Sequence, residues 1–134
     1  MEFIEPYKIT VLVAGLTGLV LFLQLILLDV VGIKVEHTPG HPITADHNNF
    51  LFRASRALSN TNESVAIFIL FACFSVLSSA NPQWLNASAS LYLAGRIAHM
   101  LFYYLNLGVC RSISFAVSLM GLSAMFVVGA LSWW

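Results

Sequence analysis

The chain has 134 residues, of which 59% are hydrophobic and 9% charged, and its formal net charge is zero. This composition excludes an ordinary soluble domain with a polar coat, and the balanced charge gives no electrostatic footprint for binding nucleic acid. It is typical of a membrane protein. A hydrocarbon core about 30 Å thick needs about 20 consecutive apolar residues in a helix.

Four windows of the sequence meet this length and use most of the chain. They cover residues 9–31, 58–79, 85–109 and 113–134. We therefore predict an all-α integral membrane protein with one domain over residues 1–134. The connections after the second and third windows are short, which favours antiparallel neighbours in a four-helix bundle.

Basic residues mark two of the segments between the windows. Lys34, Arg53 and Arg56 lie in or beside the loop at residues 34–52, and Arg111 follows the third window. The turn at residues 80–84 carries no charge. Because basic residues accumulate on the cytoplasmic side of membrane proteins, we expect this loop and the turn near Arg111 to face the cytoplasm. The membrane itself, bacterial inner membrane or endoplasmic reticulum, stays open.

Proline and glycine indicate where the helices end. Asn81-Pro82 should separate the second and third helices, since a residue before proline is disfavoured in helical conformation. Gly108 suits a stop at the end of the third helix. The loop EHTPGHPITADHNN holds His37, His41 and His47, but their spacing matches no compact zinc pattern. We predict no metal there and interpret the loop as a solvated segment at headgroup level.

Polar residues form a stripe on the second and on the third window. Each stripe has the spacing i, i+3, i+7, i+10, which places its members within an arc of roughly 80° on one helix face. The first stripe is Arg53, Arg56, Asn60 and Glu63, and the second is Arg96, His99, Tyr103 and Asn106.

These stripes should not face lipid. A charged residue in the middle of a spanning helix costs about 2.5–3.5 kcal/mol on insertion scales. One interpretation is a closed network in which Glu63 pairs with Arg56 or Arg96 and fixes the helix register. The surplus of arginines favours the other interpretation, an anionic partner. A small peptide with two carboxylates and one amine would suit it, with arginines binding the carboxylates and Glu63 the amine.

The motifs in these stripes resemble those of the MAPEG family, the membrane-associated proteins in eicosanoid and glutathione metabolism. The resemblance runs residue by residue from about Arg53 to Ser112. It lies in Arg56-x-x-x-Asn60-x-x-Glu63, in Arg96-x-x-His99-x-x-x-Tyr103, and in Arg111-Ser112 at the start of the fourth window. It implies a homotrimer of four-helix subunits that binds glutathione, as a co-substrate, between neighbouring protomers.

The resemblance also implies roles for individual residues. Glutathione would contact Arg56, Asn60, Glu63, His99, Tyr103 and Arg111, with Arg53 and Arg96 as supporting charges. The family often has an arginine near the end of the first span, where this chain reads LDVVGIKVE. Lys34 would have to replace it, or the contact is missing.

The expected activity is transfer of the glutathione thiolate to a lipophilic electrophile that arrives from the bilayer. Reduction of lipid hydroperoxides or an isomerase activity would use the same thiolate. Arg111 is the predicted thiolate-stabilising residue, with the Ser112 hydroxyl as a second donor and Tyr103 as a competing candidate. A non-catalytic lipid-binding member of the same family and a small multidrug exporter are the alternatives.

Overall fold

The computed structural model describes residues 2–134, which form four long α-helices and no strand. A short 3-10 helix, Glu5–Tyr7, leads into α1, Lys8–Lys34. The other helices are α2, Phe50–Leu77, α3, Pro82–Tyr104, and α4, Gly108–Leu131. The prediction of an all-α protein with four helices is confirmed.

Helices α1, α2 and α4 are long and apolar enough to cross a membrane, as an integral membrane protein requires. Helix α3 does not reach that hydropathy, although its length of 23 residues is sufficient. Its burial accounts for this, because α3 places nine residues in the interior, among them Arg96 and His99. A helix enclosed by other helices can carry polar residues that a lipid-facing helix cannot.

The ends of α2 and α3 follow from local side-chain chemistry. The Asn49 side chain accepts a hydrogen bond from the Leu51 amide at the start of α2. Asn81 does the same for two amides at the start of α3, where Pro82 occupies the first turn. The predicted break at Asn81-Pro82 is therefore confirmed.

The predicted end of the third helix was wrong. Helix α3 ends at Tyr104, before the predicted limit of 109, and Gly108 begins α4 instead of stopping α3. Asn106 makes the stop, with a φ of 58° in the left-handed region. The Leu107 amide then bonds back to the Phe102 carbonyl, as in a Schellman-type helix end. Leu105, Leu107 and Val109 made the window look continuous because they are apolar.

Helices α3 and α4 pack backbone to backbone, through glycines on both. A Cβ added at Gly95 would lie 2.7 Å from the Ser118 nitrogen, and one at Gly121 would lie 2.6 Å from the Tyr92 nitrogen. Only a residue without a side chain allows this approach. The contact fixes the register of α4 against α3, and with it the position of Arg111 relative to His99.

The interior divides into an apolar half and a polar half. Phe68 stacks on Tyr92 with ring centroids 4.7 Å apart, in a cluster with Leu85, Leu122 and Met125. This apolar cluster belongs to the half of the bundle that holds the chain ends, where the Tyr7 hydroxyl bonds to the Ala80 carbonyl. The polar half lies toward the 35–49 loop.

Candidate functional site at the basic end of the bundle

The loop and the α3–α4 turn meet at one end of the bundle, as the distribution of basic residues predicted. Arg53 near the start of α2 donates to the backbone carbonyls of His47, at 2.5 Å, and Tyr104, at 3.5 Å. Arg111 in the first turns of α4 lies 3.5 Å from the same histidine, measured from Nη1 to Nδ1. We call this the basic end. Which side of the membrane it faces stays a prediction.

A cavity of about 160 Å³ opens at the basic end between α2, α3 and α4. It is lined by Asn60, His99, Arg111, Ser112 and Phe115. Four of these five residues were predicted to bind or activate a ligand. The structure thus brings together residues that stand up to 52 positions apart in the chain, from Asn60 to Ser112.

Arg111 is held at the mouth of this cavity. Its guanidinium carbon lies 4.4 Å from the centroid of the Tyr103 ring, a cation–π contact. The Tyr103 hydroxyl lies 3.4 Å from the Asn60 amide nitrogen. Tyr103 itself is buried and is not among the residues that line the cavity. The structure therefore places Arg111 in the cavity wall and Tyr103 behind it.

Ser112 lines the cavity but its hydroxyl is engaged within α4. The Ser112 Oγ donates to the Gly108 carbonyl at 3.2 Å. To donate to a ligand, the hydroxyl would have to rotate away from that carbonyl. Arg111 is consequently the better placed of the two predicted donors.

His99 is 3% exposed and packs edge-on against Tyr103, with ring centroids 5.0 Å apart. Its second aromatic neighbour is Phe115, at 5.7 Å. Within residues 2–134, its Nδ1 atom has no hydrogen-bond partner. A buried polar atom without a partner is costly, and here the residue lines a cavity that could supply one.

Arg96 lies deeper than the cavity and is completely buried. Its Nη2 donates to the Thr61 hydroxyl at 3.3 Å, and the Gln24 side-chain amide donates to the same oxygen at 3.3 Å. The Nε and Nη1 atoms of Arg96 have no partner in the described part of the chain. The Arg96 guanidinium therefore has a neutral hydroxyl of α2, and no carboxylate, as its hydrogen-bond acceptor in residues 2–134.

The four polar residues of the α2 stripe are not all buried against the neighbouring helices. Arg53 and Asn60 are partly buried, while Arg56 and Glu63 are exposed on the protomer. The buried face of α2 is offset from the stripe by one residue, or about 100°. It consists of Ala54, Ala57, Thr61, Ser64 and Phe68. Of the side chains in the α2 stripe, Asn60 reaches a side chain of the α3 stripe, the Tyr103 hydroxyl at 3.4 Å.

The second stripe has three members rather than four. Arg96, His99 and Tyr103 lie on the buried face of α3, but Asn106 is exposed and lies beyond the end of the helix. Its left-handed backbone ends the regular 100° spacing. Asn106 serves as the helix stop described above.

The closed ionic network does not form within one protomer. Across residues 2–134 the one salt bridge joins Lys8 to Glu5, and both residues are exposed. No arginine nitrogen lies close enough to the Glu63 carboxylate to form a salt bridge. Lys34, the last residue of α1, is exposed and is not part of the cavity wall. Within the protomer, Lys34 therefore does not take the place at the cavity that was expected for the family's first-span arginine.

Sequence analysis did not identify His47, Thr61 or Gln24 as parts of this region. Thr61 could have been found, because it continues the buried spacing Ala54, Ala57, Thr61 on α2. His47 lies in a loop, where helical periodicity carries no information. Its contacts with Arg53 and Arg111 depend on the path of the 35–49 segment.

The fold and the site define a membrane-spanning four-helix protein with a small, arginine-lined cavity at one end. The model of the MAPEG family matches residues 1–131 of the 134-residue chain. The chain belongs to the MAPEG family. The family contains glutathione transferases and related enzymes as well as non-catalytic members. No curated protein matches the chain significantly.

Proposed function

We propose that the protein is a membrane-bound glutathione transferase that joins the glutathione thiolate to a lipophilic electrophile from the bilayer. The observation that carries this proposal is the cavity shared by Asn60, His99, Arg111 and Ser112. Family membership supports a role in glutathione or eicosanoid metabolism. It argues against the alternative hypothesis of a small multidrug exporter.

The chemistry requires the glutathione thiol to lose its proton. A thiol with a pKa of about 8.5 is only a few per cent ionised at neutral pH, and the thiolate is the nucleophile. Lowering that pKa by two units needs about 2.7 kcal/mol of preferential interaction with the anion. A guanidinium in a partly dry cavity can supply this, and Arg111 is the one that lines the cavity.

The reaction itself is a substitution or an addition at carbon. The thiolate attacks the electrophilic carbon, a carbon–sulfur bond forms, and the leaving group, such as a halide, departs with its electron pair. The thiol proton passes to water at the basic end. Phe115, an apolar wall of the same cavity, suits the lipophilic substrate. Reduction of a lipid hydroperoxide would use the same thiolate and a second glutathione as reductant.

The protomer supplies only part of the glutathione site. A cavity of about 160 Å³ is smaller than the roughly 300–1,000 Å³ of sites that enclose small-molecule ligands. Arg56 and Glu63 lie outside it, exposed on α2. Glu63 is about 20 Å along a helix about 40 Å long, so it would lie well inside the membrane.

An unpaired carboxylate at that depth needs a cover other than lipid. We propose that a neighbouring protomer of a homotrimer provides it, and that glutathione lies between the two. Arg56 would bind a carboxylate and Glu63 the amine. Arg53 already donates to the loop carbonyl of His47, and Arg96 is buried. Both would attract the anionic ligand by long-range electrostatics without touching it.

The test is an ultraviolet absorbance titration of the thiolate, with glutathione added to the purified protein in detergent. A saturable thiolate signal at neutral pH is expected for the native protein. In Arg111→Ala the signal and the conjugation of a model aryl halide should fall by about 10- to 100-fold. Glutathione binding measured by calorimetry should weaken much less.

Three results would each contradict part of the proposal. Absence of glutathione binding at millimolar concentration would refute the ligand. Binding without any thiolate signal would instead favour a non-catalytic lipid-binding member of the family. Turnover of Arg111→Ala near the native level would refute the role of Arg111 and return attention to Tyr103.

A further inference from the structure

The loop that closes the basic end contributes a side chain to the candidate site. His47 is exposed and precedes α2 by three residues. Its Nδ1 lies 3.5 Å from Arg111 Nη1, at the limit of a hydrogen bond. A guanidinium nitrogen can only donate, so Nδ1 is the acceptor and the ring proton is on Nε2.

His47 is anchored on both sides by contacts that do not involve Arg111. Its carbonyl accepts a hydrogen bond from Arg53 Nη1 at 2.5 Å. Its ring packs edge-on against Phe52, with ring centroids 5.2 Å apart and planes at 82°. The imidazole is thus held in place by residues of α2 and can act as a fixed acceptor.

The chain around His47 is also ordered by its own hydrogen bonds. The Asp46 carboxylate accepts from the Asn48 amide at 2.9 Å, and the Asp46 carbonyl accepts from the Asn49 amide at 3.0 Å. Asn49 then caps α2. A turn built directly onto a helix cap has little freedom to move its central side chain.

Arg111 therefore has two supports at the mouth of the cavity. The face of Tyr103 lies beneath its guanidinium at 4.4 Å, and His47 accepts from one of its terminal nitrogens. A long arginine side chain loses considerable rotamer freedom when it binds an anion. Contacts that already restrict the Arg111 side chain reduce the entropy lost on binding. They also direct its remaining N–H groups toward the ligand.

We infer that His47 is a positioning residue that accepts a hydrogen bond from Arg111 and holds its guanidinium toward the thiolate. The inference rests on the proposed function, which supplies the thiolate. The charged groups that face His47 are Arg53 of α2 and Arg111 of α4, both cations. Asp46 is engaged with the Asn48 amide.

The first experiment examines the contact without any ligand. Protein labelled with ¹⁵N-histidine in detergent should give an NMR spectrum in which His47 is the tautomer with the proton on Nε2. His47→Gln identifies its signals by their loss. In Arg111→Ala the His47 signals should move toward the mixture of tautomers of a free imidazole. Identical His47 signals in the native protein and in Arg111→Ala would overturn the inference.

The second experiment measures glutathione binding by calorimetry and thiolate formation by absorbance in the same samples. His47→Ala should lower the thiolate fraction at neutral pH by about threefold to tenfold, the effect of losing one ordinary hydrogen bond. Its glutathione affinity should change by less than that. His47→Gln should restore the thiolate, because an amide oxygen can accept from Arg111. His41→Ala, an exposed histidine of the same loop, is the matched control and should behave as the native protein.

A His47→Ala protein with native or increased thiolate formation would overturn the inference. Native protein that binds no glutathione would refute the proposed function instead, while the NMR result would still decide whether His47 holds Arg111.

Discussion

Individual polar residues in this protein are divided between the protomer's interior and its outer surface. Arg96 is completely buried and donates to a neutral hydroxyl, whereas Glu63 is exposed on the protomer and forms no salt bridge in residues 2–134. Both arrangements are expensive in a membrane unless something else completes them. For Glu63, the proposed partner is the amine of glutathione.

Replacing Glu63 with glutamine tests that assignment with little change in shape. We expect Glu63→Gln to weaken glutathione binding by about 10- to 100-fold, because a charge-assisted hydrogen bond is worth about 1.5–3 kcal/mol. Calorimetry measures the affinity. Once bound, glutathione should still ionise at Arg111, so the thiolate fraction at saturation should stay close to native.

Glu36→Gln is the matched control for this variant. Glu36 is exposed in the 35–49 loop, outside the cavity wall, and the substitution removes the same charge. Its affinity for glutathione should be native. Equal affinities of the Glu63→Gln and native proteins would show that the carboxylate does not contact the amine.

At the scale of whole helices, the closest packing in the bundle depends on α3 and α4. A methyl group at Gly121 would approach the Tyr92 backbone to 2.6 Å, so the two helices would have to separate or slide. Gly121→Ala should therefore destabilise the fold by about 1–3 kcal/mol, as expected for overpacking. The displaced α4 would also move Arg111 and reduce thiolate formation.

Gly15→Ala provides the control for Gly121→Ala. A Cβ at Gly15 of α1 meets no atom within 4 Å, so alanine should be neutral or raise stability through its better helix propensity. Thermal unfolding in detergent, followed by circular dichroism, compares the two variants. A Gly121→Ala protein as stable as Gly15→Ala would mean that α3 and α4 do not pack this closely.

The helices also show how far the sequence alone could go. The lengths of the apolar windows located all four, because a bilayer demands about 20 residues in each, although α3 is less apolar than the other three. The end of α3 was missed because Asn106, a residue that tolerates the left-handed conformation, stands among apolar neighbours. Asn60 and His99 were selected by their helical spacing, and Arg111 and Ser112 by the resemblance to the MAPEG family; all four line one cavity. His47 was not, because a loop's path depends on contacts made after folding.

The polar stripe on α2 shows what helical spacing can predict and what it cannot. Spacing showed that Arg53, Arg56, Asn60 and Glu63 share a face, and the structure agrees with that geometry. Spacing could not show what this face meets. The buried face is the neighbouring one, with smaller residues such as Ala57 that allow α3 to approach. Polar stripes at the edge of a packed face are consequently candidates for contacts between protomers.

For the whole molecule, the cavity lined by Arg111 is smaller than the sites that usually enclose a small-molecule ligand, and Glu63 forms no salt bridge in residues 2–134. Both features predict that the oligomer, rather than the protomer, is the binding unit. Protein in a mild detergent should be a homotrimer by light scattering and bind glutathione. Protein dissociated to monomers in a harsher detergent, with its helix content intact by circular dichroism, should bind it at least 10-fold more weakly.

By mass action, glutathione should in turn stabilise the trimer, and the same samples can measure this effect. Because glutathione would bind the trimer more tightly than the monomer, adding it at about 100 times its dissociation constant should stabilise the trimer by up to about 2.7 kcal/mol per site. The detergent concentration that dissociates the protein should then increase. Glu63→Gln, which keeps the fold but binds glutathione weakly, should show a much smaller increase at equal glutathione. Monomers that bind glutathione as tightly as trimers would contradict the shared site and would place the whole ligand on one protomer.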